Sequence, residues 1–159
     1  MHKLIFWLLM LCATLSGTVK ADQTKRIPLE NIQRLELISV TPEIDPGTIL
    51  KPDESKTFHG YPVLGRQEIE NRSAIQEIIG AINGSLRPHV DNECLFMPRH
   101  ALKVFYKDSE VDYLICYQCG DVEQFHGSND KKPEWLSIDK SSKSVLDHSL
   151  TDAKIPLAP

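Results

Sequence analysis

The sequence predicts an α+β domain: an antiparallel sheet with one long amphipathic helix packed on one face and a short C-terminal helix. Three observations predict it. From Asn71 onward, Ile75, Ile78, Ile79, Ile82 and Leu86 recur at helical spacing and form one apolar stripe. Segments near 34–40, 58–65 and 101–118 are rich in β-branched and aromatic residues with partial alternation. Near the end, Asp139 to Ser144 can open a short helix that places Val145, Leu146 and Leu150 on one side.

Taken in order, the chain starts with a targeting pattern. Met1-His-Lys3 is positive, Leu4 to Ala13 is almost wholly apolar, and Val19-Lys20-Ala21 has the small-x-small form cut by signal peptidase. Residues 1–21 therefore read as a cleaved secretory signal, too short in its apolar part for a bilayer-spanning helix. Leu11 before Cys12 argues against lipidation, because lipoprotein signals place a small residue there. Residues 22–33 read as a flexible lead-in and 34–159 as a single α+β domain. The first strand is Arg34–Val40. Residues 41–56, with Pro42, Pro46 and Pro52, suit an exposed loop. Phe58 to Gly65 reads as a second strand entered through a turn, with Pro62 at a sheet edge or bulge. Asn71 caps the helix, and Gly84 with Pro88 closes it.

A hairpin follows. A tight turn at Asp108-Ser109 pairs Tyr106 with Val111, Val104 with Tyr113, Leu102 with Ile115 and His100 with Tyr117. Alternation then puts Leu102, Val104, Tyr113, Ile115, Tyr117 and Cys119 on the core face, with His100 at its end. Cys116 and Cys119 project to opposite faces of a straight strand. Pro98 falls opposite Cys119, which brings Cys94 within reach of Cys119 more readily than of Cys116.

The charge balance excludes some partners. Lys and Arg total 18 against 22 Asp and Glu, a net charge of −4, and losing Lys3 and Lys20 with the signal makes the chain more acidic. Nucleic acid and anionic membrane surfaces both reward the opposite balance. Gly-x-Ser-x-Gly, His-Glu-x-x-His, phosphate-loop and dinucleotide motifs are all absent from the sequence.

Specific chemistry concentrates in Cys94, His100, Cys116 and Cys119, which permit three readings. A disulfide between Cys94 and Cys119 leaves Cys116 as a thiol. A Cys₃His set made of all four side chains is tetrahedral zinc chemistry. A redox pair in Cys116-Tyr-Gln-Cys119 requires a thiolate of lowered pKa, usually at a helix start. His59, His100 and His126 could converge on one site, though isolated histidines are more often surface or hydrogen-bonded residues. Arg99 could bind an anionic group, with a salt bridge to an acid as its commoner use. The functional expectation is an extracytoplasmic binding or interaction module, secreted or periplasmic, with an unassigned protein or small-molecule partner and no catalytic residue or cofactor. Zinc binding through Cys94, His100, Cys116 and Cys119, and then thiol–disulfide exchange, are the alternatives.

Phe58-His-Gly-Tyr-Pro-Val-Leu-Gly65, Cys94 with Phe96-Met-Pro-Arg-His100, and Leu114-Ile-Cys-Tyr-Gln-Cys119 together resemble a family of small secreted bacterial proteins of uncharacterised activity. Its members show F-x-G-Y-x-V-L-G, C-F-x-P-R-H-G and I-C-F-x-C in this order, and often a Val-Pro-Leu-like tail resembling Ile155-Pro-Leu157. This chain departs by an extra residue between Cys94 and Phe96, by Ala101 in the glycine position and by Tyr117 for Phe. The resemblance implies a bacterial, extracytoplasmic protein with a shared Cys/His cluster.

Overall fold

The computed structural model describes residues 25–42, 56–127 and 130–159. The signal at 1–21, the start of the lead-in and most of the proline-rich loop at 41–56 lie outside the described residues. Along the chain the strands are β1 (Ile32–Val40), β2 (Thr57–Phe58), β3 (Tyr61–Ile69), β4 (Leu86–Arg87), β5 (His100–Tyr106), β6 (Glu110–Cys116), β7 (Asp121–Phe125) and β8 (Glu134–Ile138). Helix α1 (Arg72–Ser85) follows β3; a 3-10 turn at Lys140–Ser142 leads into α2 (Lys143–Asp152). The strands form one eight-stranded sheet in the order β2-β3-β1-β5-β6-β7-β8-β4, antiparallel throughout.

This architecture corrects the expected α+β plan built around one long helix. The eight-stranded antiparallel sheet dominates the described residues, and both helices are short, at 14 and 10 residues. The reason is local. Leu86, the last residue of the expected stripe, leaves the helix for an extended conformation (φ −66°, ψ 139°) and pairs with Ile138 as the start of β4. The chain gains a sheet edge where the periodicity alone would have added another turn.

Within these bounds α1 forms for the reasons its sequence suggests. The Asn71 side chain accepts from the N–H groups of Ser73 and Ala74 at 3.0 and 3.1 Å, satisfying donors that a helix start leaves unpaired. Ile75, Ile78, Ile79 and Ile82 are all buried. They pack with Leu35 and Leu37 of β1, Leu102 and Val104 of β5, Tyr113 and Ile115 of β6, and Leu146 and Leu150 of α2 in the larger core cluster. Asn83 extends this layer by bonding both the N–H and the C=O of Ile27, at 2.8 and 2.9 Å. A buried chain of hydroxyls fastens the end of α1 to the 3-10 turn and to the segment after β6: Tyr117 Oη meets Ser142 Oγ at 2.7 Å, and Ser142 Oγ meets Ser85 Oγ at 2.7 Å. Ser85 donates onward to the Ile82 carbonyl at 2.8 Å, so every member has a partner.

The opposite face of the sheet has its own apolar cluster: Ile38, Val40, Phe58, Ala101, Leu114 and Phe125. The turn between β2 and β3 is tight, with His59 (φ 47°) and Gly60 (φ 88°) both left-handed. Pro62 pairs with Thr57 of the two-residue β2, a position at the margin of the sheet where a missing N–H is tolerated. At the other end of the chain Ile155 presses on Gly65 of β3. A Cβ added to Gly65 would lie 2.7 Å from Ile155 Cγ2, so only glycine admits the tail at that distance.

The β5–β6 hairpin differs from expectation in register. His100 pairs with Ile115, Leu102 with Tyr113 and Val104 with Val111, two residues away from the predicted pairing. The turn spans Tyr106–Ser109, closed by the Tyr106 N–H to Ser109 carbonyl bond at 2.9 Å. A shift of two preserves the side-chain alternation, so Leu102, Val104, Tyr113, Ile115 and Tyr117 still share the larger core. The sequence predicts neither β4 nor β8.

Candidate functional site

Strand β6 ends at Cys116, and Tyr117–Gly120 reverse the chain into β7. Gly120 makes the reversal possible with φ 76°. Its N–H bonds the Cys116 carbonyl at 2.8 Å, and its own carbonyl accepts from Ile138 at 2.7 Å. The expectation of a straight strand with Cys116 and Cys119 on opposite faces is therefore corrected: Cys119 belongs to the turn. From there it forms the disulfide with Cys94, with Cα atoms 5.6 Å apart. Cys116 is the free, buried cysteine among the described residues. The backbone N–H groups of Met97 and Cys119 both point at its Sγ, at 3.4 Å.

The four-residue Cys₃His set is not assembled. Cys94 and Cys119 are joined to each other, and His100 Nε2 lies 2.7 Å from Asp147 Oδ1 of α2. No three His, Cys, Asp or Glu side chains among the described residues are placed to hold a metal ion.

His100 is only 3% exposed. Burial pushes its pKa below the ordinary histidine value, partly opposed by the hydrogen bond and charge of Asp147. Its Nδ1 is buried without a partner. Those facts agree: a neutral ring donating Nε2–H to Asp147 leaves a lone pair at Nδ1, whereas an imidazolium would leave a buried N–H donor unmatched. Burial also opposes ionisation of Asp147, but hydrogen bonds from Lys143 and His100 outweigh it, and its carboxyl is held below the usual range.

A pH dependence follows. Below about pH 6.5 an unfolded chain protonates its histidine more readily than the folded one. His100 therefore contributes stability above that pH, and the contribution is lost as pH falls toward the depressed folded value. The urea midpoint of the wild-type protein should drop between pH 7.5 and 5.5 by more than that of His100→Gln. Equal drops would show that His100 titrates as it does in water.

The three histidines have separate partners. His59 Nε2 lies 2.8 Å from the buried Asp112 Oδ2, and its ring stacks on Phe125 with centroids 3.9 Å apart. Glu123, on the same face, has its pKa raised by burial, opposed by the nearby His59. His126 contacts Gln124 at 3.2 Å and Glu134 at 3.5 Å. Arg99 corrects its expected salt bridge: it donates to the Pro159 backbone oxygen, and at 3.4 Å to the Met97 carbonyl and Gln118 Oε1.

The disulfide draws attention to a surface that cluster reasoning missed. Residues 88–99 carry no regular secondary structure, and Cys94–Cys119 fixes their middle to the β6–β7 turn. This loop exposes Val90 (67%) and Leu95 (76%), and Trp135 of β8 is exposed as well (40%). Phe96 meets Trp135 edge to face, with centroids 5.4 Å apart and planes at 78°. His89 flanks the indole at 6.0 Å. Between them lies a cleft of about 230 Å³ that also takes in Asp91, Asn92 and Asp121. The signal that could have found it is Glu134-Trp-Leu-Ser-Ile138: alternation sends Leu136 and Ile138 inward and leaves Trp135 outward. Larger clefts among the described residues include one of about 690 Å³ beside the β5–β6 turn and one of about 390 Å³ beside His100 and Arg99. The first has no orphaned buried polar atom on its walls, and Arg99 in the second is already held by backbone and amide oxygens.

Among the described residues, no helix is long and apolar enough to cross a membrane. No protein-family model matches the chain, and neither a curated protein nor a solved structure was found to be similar to it.

Proposed function

We propose that the protein is an extracytoplasmic interaction module that binds a partner protein through the 88–99 loop and Trp135. One observation carries the reading: a loop without regular structure is pinned by a disulfide, exposes two aliphatic side chains, and packs its half-buried Phe96 against the exposed Trp135. Large apolar residues exposed together, and not singly, mark interaction surfaces, and aromatic anchors dominate the energetics of such surfaces. Fixing the loop in advance lowers the ordering entropy lost on binding. The disulfide supports an oxidising compartment, in line with the secretory signal read at residues 1–21 and with the motif resemblance to secreted bacterial proteins.

The test is a loop variant that keeps the fold. Val90→Glu/Leu95→Glu changes only exposed side chains, so its melting temperature should stay within a few degrees of wild type. Tagged wild-type protein should recover a partner from the extracytoplasmic fraction of its host, and the double variant should lose it. Equal recovery by the two proteins would remove the loop from the interface and overturn the reading.

A further inference from the structure

Among the described residues, no cation answers Asp121. It is 5% exposed, at the first position of β7. Its Oδ2 accepts from Asn92 Nδ2 at 2.8 Å, while its Oδ1 is buried without any partner. Among the described residues no lysine or arginine forms an ion pair with Asp121 or with Asp91; Asp91 meets only His89, at 3.1 Å. The nearby arginines face elsewhere: Arg87 is held by Asp139 and two backbone carbonyls, and Arg99 by Pro159, Met97 and Gln118. A carboxylate taken this far out of water is strongly unfavourable unless a cation or a full set of donors compensates it.

We infer that the cleft between Phe96, Trp135 and Asp121 receives a lysine or arginine side chain from the partner that docks on the 88–99 loop. The walls suit that guest. An indole is the best aromatic face for an ammonium or guanidinium, and here it is held in place by Phe96 and His89. At about 230 Å³ the cleft is below the roughly 300 Å³ at which ordinary small-molecule pockets begin. It fits a side-chain terminus better than a cofactor. Asp121 at the base and Asp91 at the open rim supply the opposite charge. Val90 and Leu95, each flanked in the chain by residues that line the cleft, supply apolar contact for the residues flanking the guest. Asn92, now bonded to Asp121, is the group that the incoming cation displaces or joins. A chain with 22 acids against 18 bases favours a basic partner at long range as well.

This rests on the loop being an interaction surface, and the experiment separates the two ideas. The probe is the capped tripeptide Leu-Lys-Leu, titrated into the full protein with the Trp135 indole N–H followed by NMR and assigned with Trp135→Phe. The expected result is a saturable shift. Binding should weaken at least tenfold for the same peptide with an acetylated lysine, and about tenfold for Asp121→Asn. The exposed Asp91→Asn variant should give a smaller loss and a steeper weakening with salt. Amide dispersion of each variant reports that the fold is kept. If the acetylated peptide binds as well as the charged one, or if no peptide binds, the cation site is overturned. Partner recovery that depends on Val90 and Leu95 would survive either outcome. Binding of n-butylammonium as tight as that of the tripeptide would also overturn the proposal, since the site would then take a free amine without needing a protein segment.

Discussion

Removing the disulfide with Cys94→Ser/Cys119→Ser is expected to lower the unfolding free energy by about 3 kcal/mol, from loop entropy regained by the unfolded chain. The bridge spans a sequence separation of 25, and both ends lie outside the strands, so the loss acts on the 88–99 loop and the β6–β7 turn together. Both cysteines are replaced at once so that no leftover thiol can pair with Cys116. Cys116→Ser should cost less, because a hydroxyl can still accept the N–H groups of Met97 and Cys119 that now point at the sulfur. Urea unfolding of the three proteins under oxidising conditions decides the order. A larger loss from Cys116→Ser would mean that packing around the thiol, and not the bridge, holds this corner.

The second large effect lies in the core. Ile78 is 3% exposed and sits between α1 and the sheet in the larger apolar cluster. Ile78→Asp should abolish folding near neutral pH, because an unpaired carboxylate would enter a site without donors or cations. Gln76→Asp, on the exposed side of the same helix, should change stability by less than about 1 kcal/mol. Circular dichroism and amide dispersion distinguish a folded from an unfolded chain in each case. Similar behaviour in the two variants would contradict the packing of α1.

Apolar periodicity made some of this legible. Ile75, Ile78, Ile79 and Ile82 announce the buried face of α1, and Leu102, Val104, Tyr113 and Ile115 announce the buried face of the hairpin. Periodicity does not say how many residues a turn consumes, so the β5–β6 pairing is off by two while its faces are right. It also cannot say when a stripe stops being a helix: Leu86 keeps the spacing yet pairs with Ile138, and the long helix gives way to a sheet-dominated fold. Cys94 and Cys119 were nameable as a pair, but the expected path between them was not followed, since Gly120 bends a segment that reads as strand. The cleft was the least legible feature. Trp135, Asp121 and Phe96 come from two strands and a loop: the pairing of β7 with β8 brings the first two together, and the disulfide-pinned loop carries Phe96 to Trp135.

The seclusion of Cys116 bears on how the protein is made. A chain oxidised while still disordered can join any two of Cys94, Cys116 and Cys119. Once β6 has entered the sheet, Cys116 is sealed within it, and only the two sulfurs carried by a loop and a turn remain within reach of an oxidant. Correct pairing thus becomes a matter of sequence in time: a chain that folds before it is oxidised needs no isomerase to correct it, whereas one oxidised early does.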